Sequence, residues 1–195
     1  GVYLLGNVPG KFKKFQNKLR FANSTGYLRY YGMCMDDEGY LWLGTDGDGV
    51  YKKKLNGDVI QHYFADAPDA PLKNVAILCG YKSRDNNLWF GSYINGIFKY
   101  NKKTGSFTNY MHSAWDPASL CGNDVRTIFE DPDGNMWFGT NNGGLSKLPK
   151  NSDKFVNYST FNKALPDNNI RAICQDSKGT MYIGTYGDGV LCYNK

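Results

Sequence analysis

Histidine is nearly missing from this chain: His62 and His112 are the two present among 195 residues, and no Cys-x-x-Cys spacing occurs. A zinc site has little to build on, and neither a metal nor a cofactor is expected. No apolar run reaches the ~18 residues that a membrane helix needs, so this segment is not expected to insert in a membrane. The N-terminus shows no basic, apolar, small-residue leader pattern. Arginine-rich tracts are also lacking. The net charge of +5 comes largely from scattered lysines such as Lys11, Lys13, Lys14 and Lys52 to Lys54, read as solvated strand edges. Nucleic-acid binding needs a basic stripe with interleaved stacking residues and is not expected. No Ser-His-Asp order or paired carboxylates stand out, so no catalytic residue is named and the chain reads as non-enzymatic.

What is abundant is glycine, at 23 residues, and aromatics, at 15%, against 21% charged residues. That balance fits a chain with a buried core and excludes a disordered or collagen-like one. Helix periodicity is almost absent. Short runs rich in Val, Ile, Tyr, Phe and Trp alternate with Gly, Asn and Asp clusters, the pattern of an all-β chain.

The dominant signal is a repeat. An aromatic-x-Gly-(Thr/Ser) core recurs at Trp42, Trp89, Trp137 and Tyr182, spaced by 47, 48 and 45 residues. Five residues beyond each core glycine comes Gly-apolar: Gly49-Val50, Gly96-Ile97, Gly144-Leu145 and Gly189-Val190. Gly1-Val2-Tyr3 opens the chain on the same element. The spacing predicts four antiparallel strands per unit: A near Val125 to Glu130, B near Met136 to Thr140, C near Leu145 to Leu148 and D near Phe155 to Ser159. Four such strands make one β-propeller blade. Approximate units are 1–48, 49–95, 96–143 and 144–188, with 189–195 partial, all in one propeller segment, 1–195. Strands count as C-D, three full blades, then A-B-C, which predicts an excerpt of a larger ring with apolar faces left open. Such faces predict association with missing blades or as a homodimer.

Turn chemistry agrees. Asp36-Asp37-Glu38-Gly39, Asp131-Pro132-Asp133-Gly134 and Asp176-Ser177-Lys178-Gly179 suit tight turns between A and B, and Asn86 takes the glycine place in the second unit. Asp46-Gly47-Asp48-Gly49 reads as a turn, because a calcium loop needs further oxygen ligands that do not follow. The D-to-A links, such as Ala65 to Asn74 and Met111 to Asp124, are long and variable.

Asp-x-x-Gly-x-x-Trp-x-Gly-Thr followed by Gly-(Val/Ile/Leu), with Asn-(Val/Ile) leading into strand A (Asn74-Val75, Asn123-Asp124-Val125, Asn169-Ile170), resembles the two-component regulator propeller repeat. The first strand A departs, with Leu28-Arg29-Tyr30-Tyr31-Gly32 in its place. The resemblance implies a seven-bladed propeller in the periplasmic sensor region of an inner-membrane hybrid two-component histidine kinase of the Bacteroidetes type. It implies an oligosaccharide ligand and downstream sensor and kinase domains as partners. Two other readings stay open, a protein-interaction scaffold and a propeller-fold lyase.

Five cysteines leave at least one thiol free. With a two-residue insertion assumed in the Tyr81 to Asp85 turn, Cys34, Cys79 and Cys174 fall at one strand-A position and read as small core residues. Cys192 replaces Lys52, Lys99 and Lys147 on strand C, and Cys121 lies in a loop. The motif tryptophans read as packing between sheets. Ligand residues are instead expected where the repeat is broken, on the B-to-C and D-to-A loops that open on one face. These are Asp46, Tyr93, Asn142, Tyr186 and Asp188 on the hairpins, with His112 and above all Trp115 on the longest D-to-A loop. Asn and Asp suit sugar hydroxyls, and an aromatic face suits the apolar side of a pyranose.

Overall fold

The computed structural model describes residues 29–55, 59–63, 72 and 75–194, together with the backbone of 3–5 and 12–14. The expectations for Gly1-Val2, Leu28, Asn74, most of the Ala65 to Asn74 link and the side chains of Lys11, Lys13 and Lys14 lie outside these residues. Every element is a strand, and no helix occurs among the described residues.

The strands form successive antiparallel meanders. A pair, β1 (Tyr3–Leu5) and β2 (Phe12–Lys14), is followed by three four-stranded sheets. The first comprises β3 (Tyr30–Met35), β4 (Tyr40–Thr45), β5 (Val50–Lys54) and β6 (Val59–Tyr63). The second comprises β7 (Ile77–Lys82), β8 (Leu88–Ser92), β9 (Ile97–Asn101) and β10 (Ser106–Tyr110). The third comprises β11 (Val125–Glu130), β12 (Met136–Thr140), β13 (Leu145–Leu148) and β14 (Val156–Tyr158). A three-stranded sheet, β15 (Ile170–Gln175), β16 (Met181–Thr185) and β17 (Val190–Tyr193), completes the series. The order two, four, four, four, three is the strand count read from the sequence. We call the last four sheets blades 1 to 4; β3, β7, β11 and β15 are their A strands and pack against one another from blade to blade.

Each residue of the repeat has a separate physical task. The motif aromatic is hydrogen-bonded in every blade, with the three tryptophans buried and Tyr182 half-buried. Trp42 Nε1 donates to Asp36 Oδ2 at 2.9 Å, Trp137 Nε1 to Asp131 Oδ2 at 3.0 Å, and the Tyr182 hydroxyl to Asp176 Oδ2 at 3.1 Å. In blade 2 a hydroxyl replaces the carboxylate, with Trp89 Nε1 donating to Ser83 Oγ at 3.1 Å. The same carboxylates hold the A-to-B turn: Asp36 Oδ1 accepts the backbone N–H of Glu38 and of Tyr40 at 3.0 and 2.9 Å. Burial pushes the Asp36 carboxyl up, but the Trp42 indole, the two amides and Lys102 outweigh it and hold it below the ordinary carboxylate value. Asn86 does adopt the left-handed region, at φ 66°, as the turn requires.

The core glycine is a socket for the next blade. A Cβ on Gly44 would lie 2.2 Å from Ile77 Cγ2, on Gly91 2.9 Å from Val125 Cγ1, and on Gly139 2.5 Å from Ile170 Cγ2. The β-branched residue that opens the A strand of blades 2, 3 and 4 thus sits directly on the glycine of the blade before. The Thr or Ser after that glycine closes the B-to-C hairpin: Thr45, Ser92 and Thr140 hydroxyls donate to the carbonyls of Gly49, Gly96 and Gly144 at 2.8 to 2.9 Å. Around the tryptophans the core is aromatic. Trp42 stacks on Tyr63 at 5.0 Å and Trp137 on Tyr158 at 5.8 Å, while Trp89 meets Phe138 of the next blade at 5.5 Å.

Three expectations are corrected. Cys174, expected in the core, is exposed. The turn in blade 2 carries no insertion. Tyr81 pairs with Trp89 as Cys34 pairs with Trp42, Phe129 with Trp137 and Cys174 with Tyr182, and Cys79 sits two residues earlier, opposite Gly91. Ser83 occupies the Asp position of that turn, so the spacing to the tryptophan is unchanged. Nor are the strand-C lysines edge residues. Strand C is interior, and Lys52, Lys99 and Lys147 lie over Trp42, Trp89 and Trp137 at 5.3, 5.0 and 5.2 Å. All five cysteines are free thiols, and burial pushes Cys34 and Cys79 up to about 12, which makes them poor nucleophiles.

Candidate functional site

The B-to-C hairpins and D-to-A loops lie at the end of the sheets where each A strand begins. Backbone ties join them there: Tyr93 N–H donates to Ala76 O, Asn141 N–H to Asp124 O and Tyr186 N–H to Asn169 O, at 2.8 to 3.0 Å. Links to the following blade come from Gly96 N–H to Asn123 O and Gly144 N–H to Asn168 O, both 2.9 Å.

At the start of every A strand the pairing register slips. The irregularity falls between Val125 and Thr127, between Ile170 and Ala172, and between Ile77 and Cys79. The residues bulged out are Arg126, Arg171 and Leu78. A bulge re-aims a side chain, and here it turns two guanidinium groups toward the hairpin loops. Arg126 lies 5.6 Å from the ring centroid of Tyr93, and Arg171 lies 5.0 Å from that of Tyr186. Arg126 is also paired with Asp124, Nε to Oδ1 at 2.6 Å and Nη2 to Oδ2 at 2.7 Å. Arg171 Nη2 donates to Asn141 Oδ1 at 3.1 Å.

These contacts form one row across three blades. It runs Tyr93, Arg126, Asp124, Asn141, Arg171, Tyr186. One face of each tyrosine is taken by a guanidinium, yet Tyr93 remains 51% and Tyr186 77% exposed. Sequence reasoning named both tyrosines but missed both arginines. Their signal was present, each directly following the β-branched residue that opens strand A, but a bulge leaves no mark in composition.

The other expected residues are placed as follows. Asn142 adopts φ 73° and its N–H donates to Asn169 Oδ1 at 3.1 Å, beside the row. Asp188 N–H donates to Thr185 Oγ1 at 2.9 Å on the Tyr186 hairpin. Asp46 belongs to a separate group in blade 1, 3.8 Å from Arg29 and accepting the Tyr31 hydroxyl at 3.5 Å. His112 braces its loop, Nδ1–H donating to Leu120 O at 2.8 Å. Trp115 is 95% exposed, so it does not anchor the loop, and no ring contact or side-chain hydrogen bond joins it to the row among the described residues. That loop leans instead on the outer strand of blade 3, where Asn157 Nδ2 donates to Pro117 O and Ser119 O at 3.1 and 2.8 Å.

A cleft of about 520 Å³ lies between blades 2 and 3 at the opposite end, walled by Trp89, Tyr110, Lys99, Arg84, Met136 and Leu148. Two of its cations are engaged already, Arg84 with Asp131 O at 2.9 Å and Lys99 over Trp89. No cluster of His, Cys, Asp and Glu with metal-binding geometry occurs among the described residues.

Residues 26–47, 119–142 and 164–187 match the sequence pattern of the two component regulator propeller. Three stretches of the chain carry this family's repeat. The matched segments run from the D-to-A loop through strand B of blades 1, 3 and 4, and the unmatched blade is the one carrying Ser83 and Asn86 in the turn. Among solved structures, the chain is similar to the extracellular domain of a hybrid two component system from B. thetaiotaomicron, with 32% identity, TM-score 0.72, and 91% of this chain and 22% of that one covered. A second such domain from the same organism gives 24% identity, TM-score 0.69, and coverage of 87% and 24%. Virginiamycin B lyase from Staphylococcus aureus shares the fold, at 21% identity and TM-score 0.60 over 85% of this chain and 55% of that one. The chain thus spans about a quarter or less of the two extracellular domains it matches. No curated protein sequence matches it.

Proposed function

We propose that the chain is part of a non-catalytic periplasmic sensor domain that recognises an oligosaccharide on its hairpin face and signals to a histidine kinase. The observation that carries the reading is the Tyr93 to Tyr186 row. Two exposed aromatic faces flank planar amide, carboxylate and guanidinium groups, the combination that suits alternating apolar faces and hydroxyls of a sugar. The three matches to the two component regulator propeller repeat and the likeness to extracellular domains of hybrid two component systems support it. Signalling would follow from a different affinity of the ligand for two arrangements of the whole receptor, because the blades are tied to each other by glycine sockets and ion pairs.

Calorimetric titration of the complete sensor region with plant and host oligosaccharides tests this. Micromolar binding of one glycan, weakened about tenfold or more by Tyr93→Ala, is expected; binding untouched by Tyr93→Ala and Tyr186→Ala moves the site elsewhere. A second reading, a protein-interaction scaffold, is favoured by Trp115 at 95% and Phe161 at 88% exposure on successive D-to-A loops. Trp115→Ala separates the two, because it leaves sugar binding on the row unchanged while weakening a protein contact.

A further inference from the structure

Tyr93 and Tyr186 are not neighbours. They stand on the hairpins of blades 2 and 4, while blade 3 contributes Asn141 and Asn142 at the equivalent place. No contact joins the two rings among the described residues; the path between them passes through Arg126, Asp124, Asn141 and Arg171. A single sugar resting on one ring therefore leaves the other ring and most of the polar groups between them unused.

Charge along this face is also informative. Arg126 is paired with Asp124 and Arg29 lies 3.8 Å from Asp46, while Arg29, Arg126, Lys163 and Arg171 together are outnumbered by Asp46, Asp48, Asp116, Asp124, Asp167 and Asp188. The Asp167 carboxyl is held well below its usual range by the backbone N–H groups of Asn169 and Gly187, so it stays ionised. A polyanion would meet this field with repulsion at several points.

Resting on the oligosaccharide reading above, we propose that the ligand is a neutral oligosaccharide longer than a disaccharide, one end stacked on Tyr93 and the other on Tyr186. Its middle units present hydroxyls to Asn141, Asn142 and Arg171. Tyr93 and Tyr186 act as two terminal subsites, and the Asn hairpin of blade 3 sets the spacing between them.

The experiment uses the full chain and glycan arrays carrying neutral and uronate-containing plant and host oligosaccharides of one to about six units, followed by titration of each hit. Affinity is expected to rise with length and then level off. On the longest neutral hit, Tyr93→Ala and Tyr186→Ala should each cost about tenfold or more, whereas a disaccharide of the same glycan should respond to one of them only. Both side chains are solvent-exposed, and unchanged thermal denaturation of the variants confirms that the fold is intact. Equal affinity for mono-, di- and longer oligosaccharides, sensitivity of the long ligand to a single tyrosine, or tighter binding of uronate oligomers would overturn the proposal while leaving sugar recognition standing. Absence of binding to every sugar overturns both.

Discussion

Blades 3 and 4 carry the same motif in different surroundings. In blade 3, Trp137 is buried, donates to Asp131, stacks on Tyr158 of its own outer strand, and has Lys147 above it; Gly139 receives Ile170 of the next blade. In blade 4, the tryptophan and lysine are exchanged together, for Tyr182 and Cys192, which are directly paired across β16 and β17. Gly184 is approached within 4 Å only by Ala172 of its own sheet, with the Cβ at 3.6 Å. The difference teaches that the motif is only half a structure. Asp, the aromatic and Thr close a blade upon itself, whereas the glycine and the tryptophan-lysine pair do most of their work when packed on by other strands.

The largest contrast should come from the glycine. Gly139→Ala forces a Cβ against Ile170 and is expected to destabilise by about 1–3 kcal/mol or more, as overpacking does. Gly184→Ala should leave the urea midpoint nearly unchanged, since both glycines have ordinary strand dihedrals and only the first has a tight neighbour. Similar losses at both positions would break the socket account.

Next in size is the buried donor. Trp137→Phe removes the indole N–H from Asp131 and shrinks the aromatic platform beneath Lys147, at a cost of about 1–3 kcal/mol. Tyr182→Phe should cost distinctly less in the same denaturation series, because its hydroxyl and its Asp176 partner are more exposed.

A pH series extends the comparison to blades 1 and 2, where Asp36 and Ser83 do the same task. The Asp36 carboxyl is depressed below 3.8, so the unfolded chain binds its proton more readily and stability rises with pH in that range. Its contribution is complete above the ordinary carboxylate value and is lost as pH falls through the depressed one. Asp36→Ser, which copies blade 2, should lower stability at neutral pH and flatten the acid limb of the curve. An unaltered acid limb would assign the sensitivity to other carboxylates.

Smallest should be the gain from copying blade 3 into blade 4. Tyr182→Trp with Cys192→Lys restores an indole beneath an ammonium and should raise the urea midpoint slightly, more for the double variant than for the two single changes added together.

Much of this architecture is legible in the chain because the repeat reports it several times over. Four aromatic cores in register, with Asp-x-x-Gly before and Gly-apolar after, leave little freedom in where strands A to D begin. The same averaging fails wherever a blade departs from its fellows. Cys79 was displaced by two residues because a turn with Ser83 in the Asp position looks lengthened until its hydrogen bonds are counted. Strand-C lysines look like solvent-facing edge residues until the indole beneath each is seen. At the candidate site, loop position and side-chain chemistry place Tyr93 and Tyr186 among seven expected residues, with Trp115 foremost, and leave out the guanidinium stacked on each tyrosine.

The sequence by itself determined the blade: its strands, its turns and the glycines that punctuate them, since these depend on local periodicity and backbone preference repeated every 45 to 48 residues. Only the tertiary structure decided what the blades do to one another. The seating of Ile170 on Gly139, the stacking of Arg126 on Tyr93 and the hydrogen bond from Arg171 to Asn141 all join residues of different blades. Contacts of that kind arise from packing geometry between sheets, and no local pattern of residues encodes it.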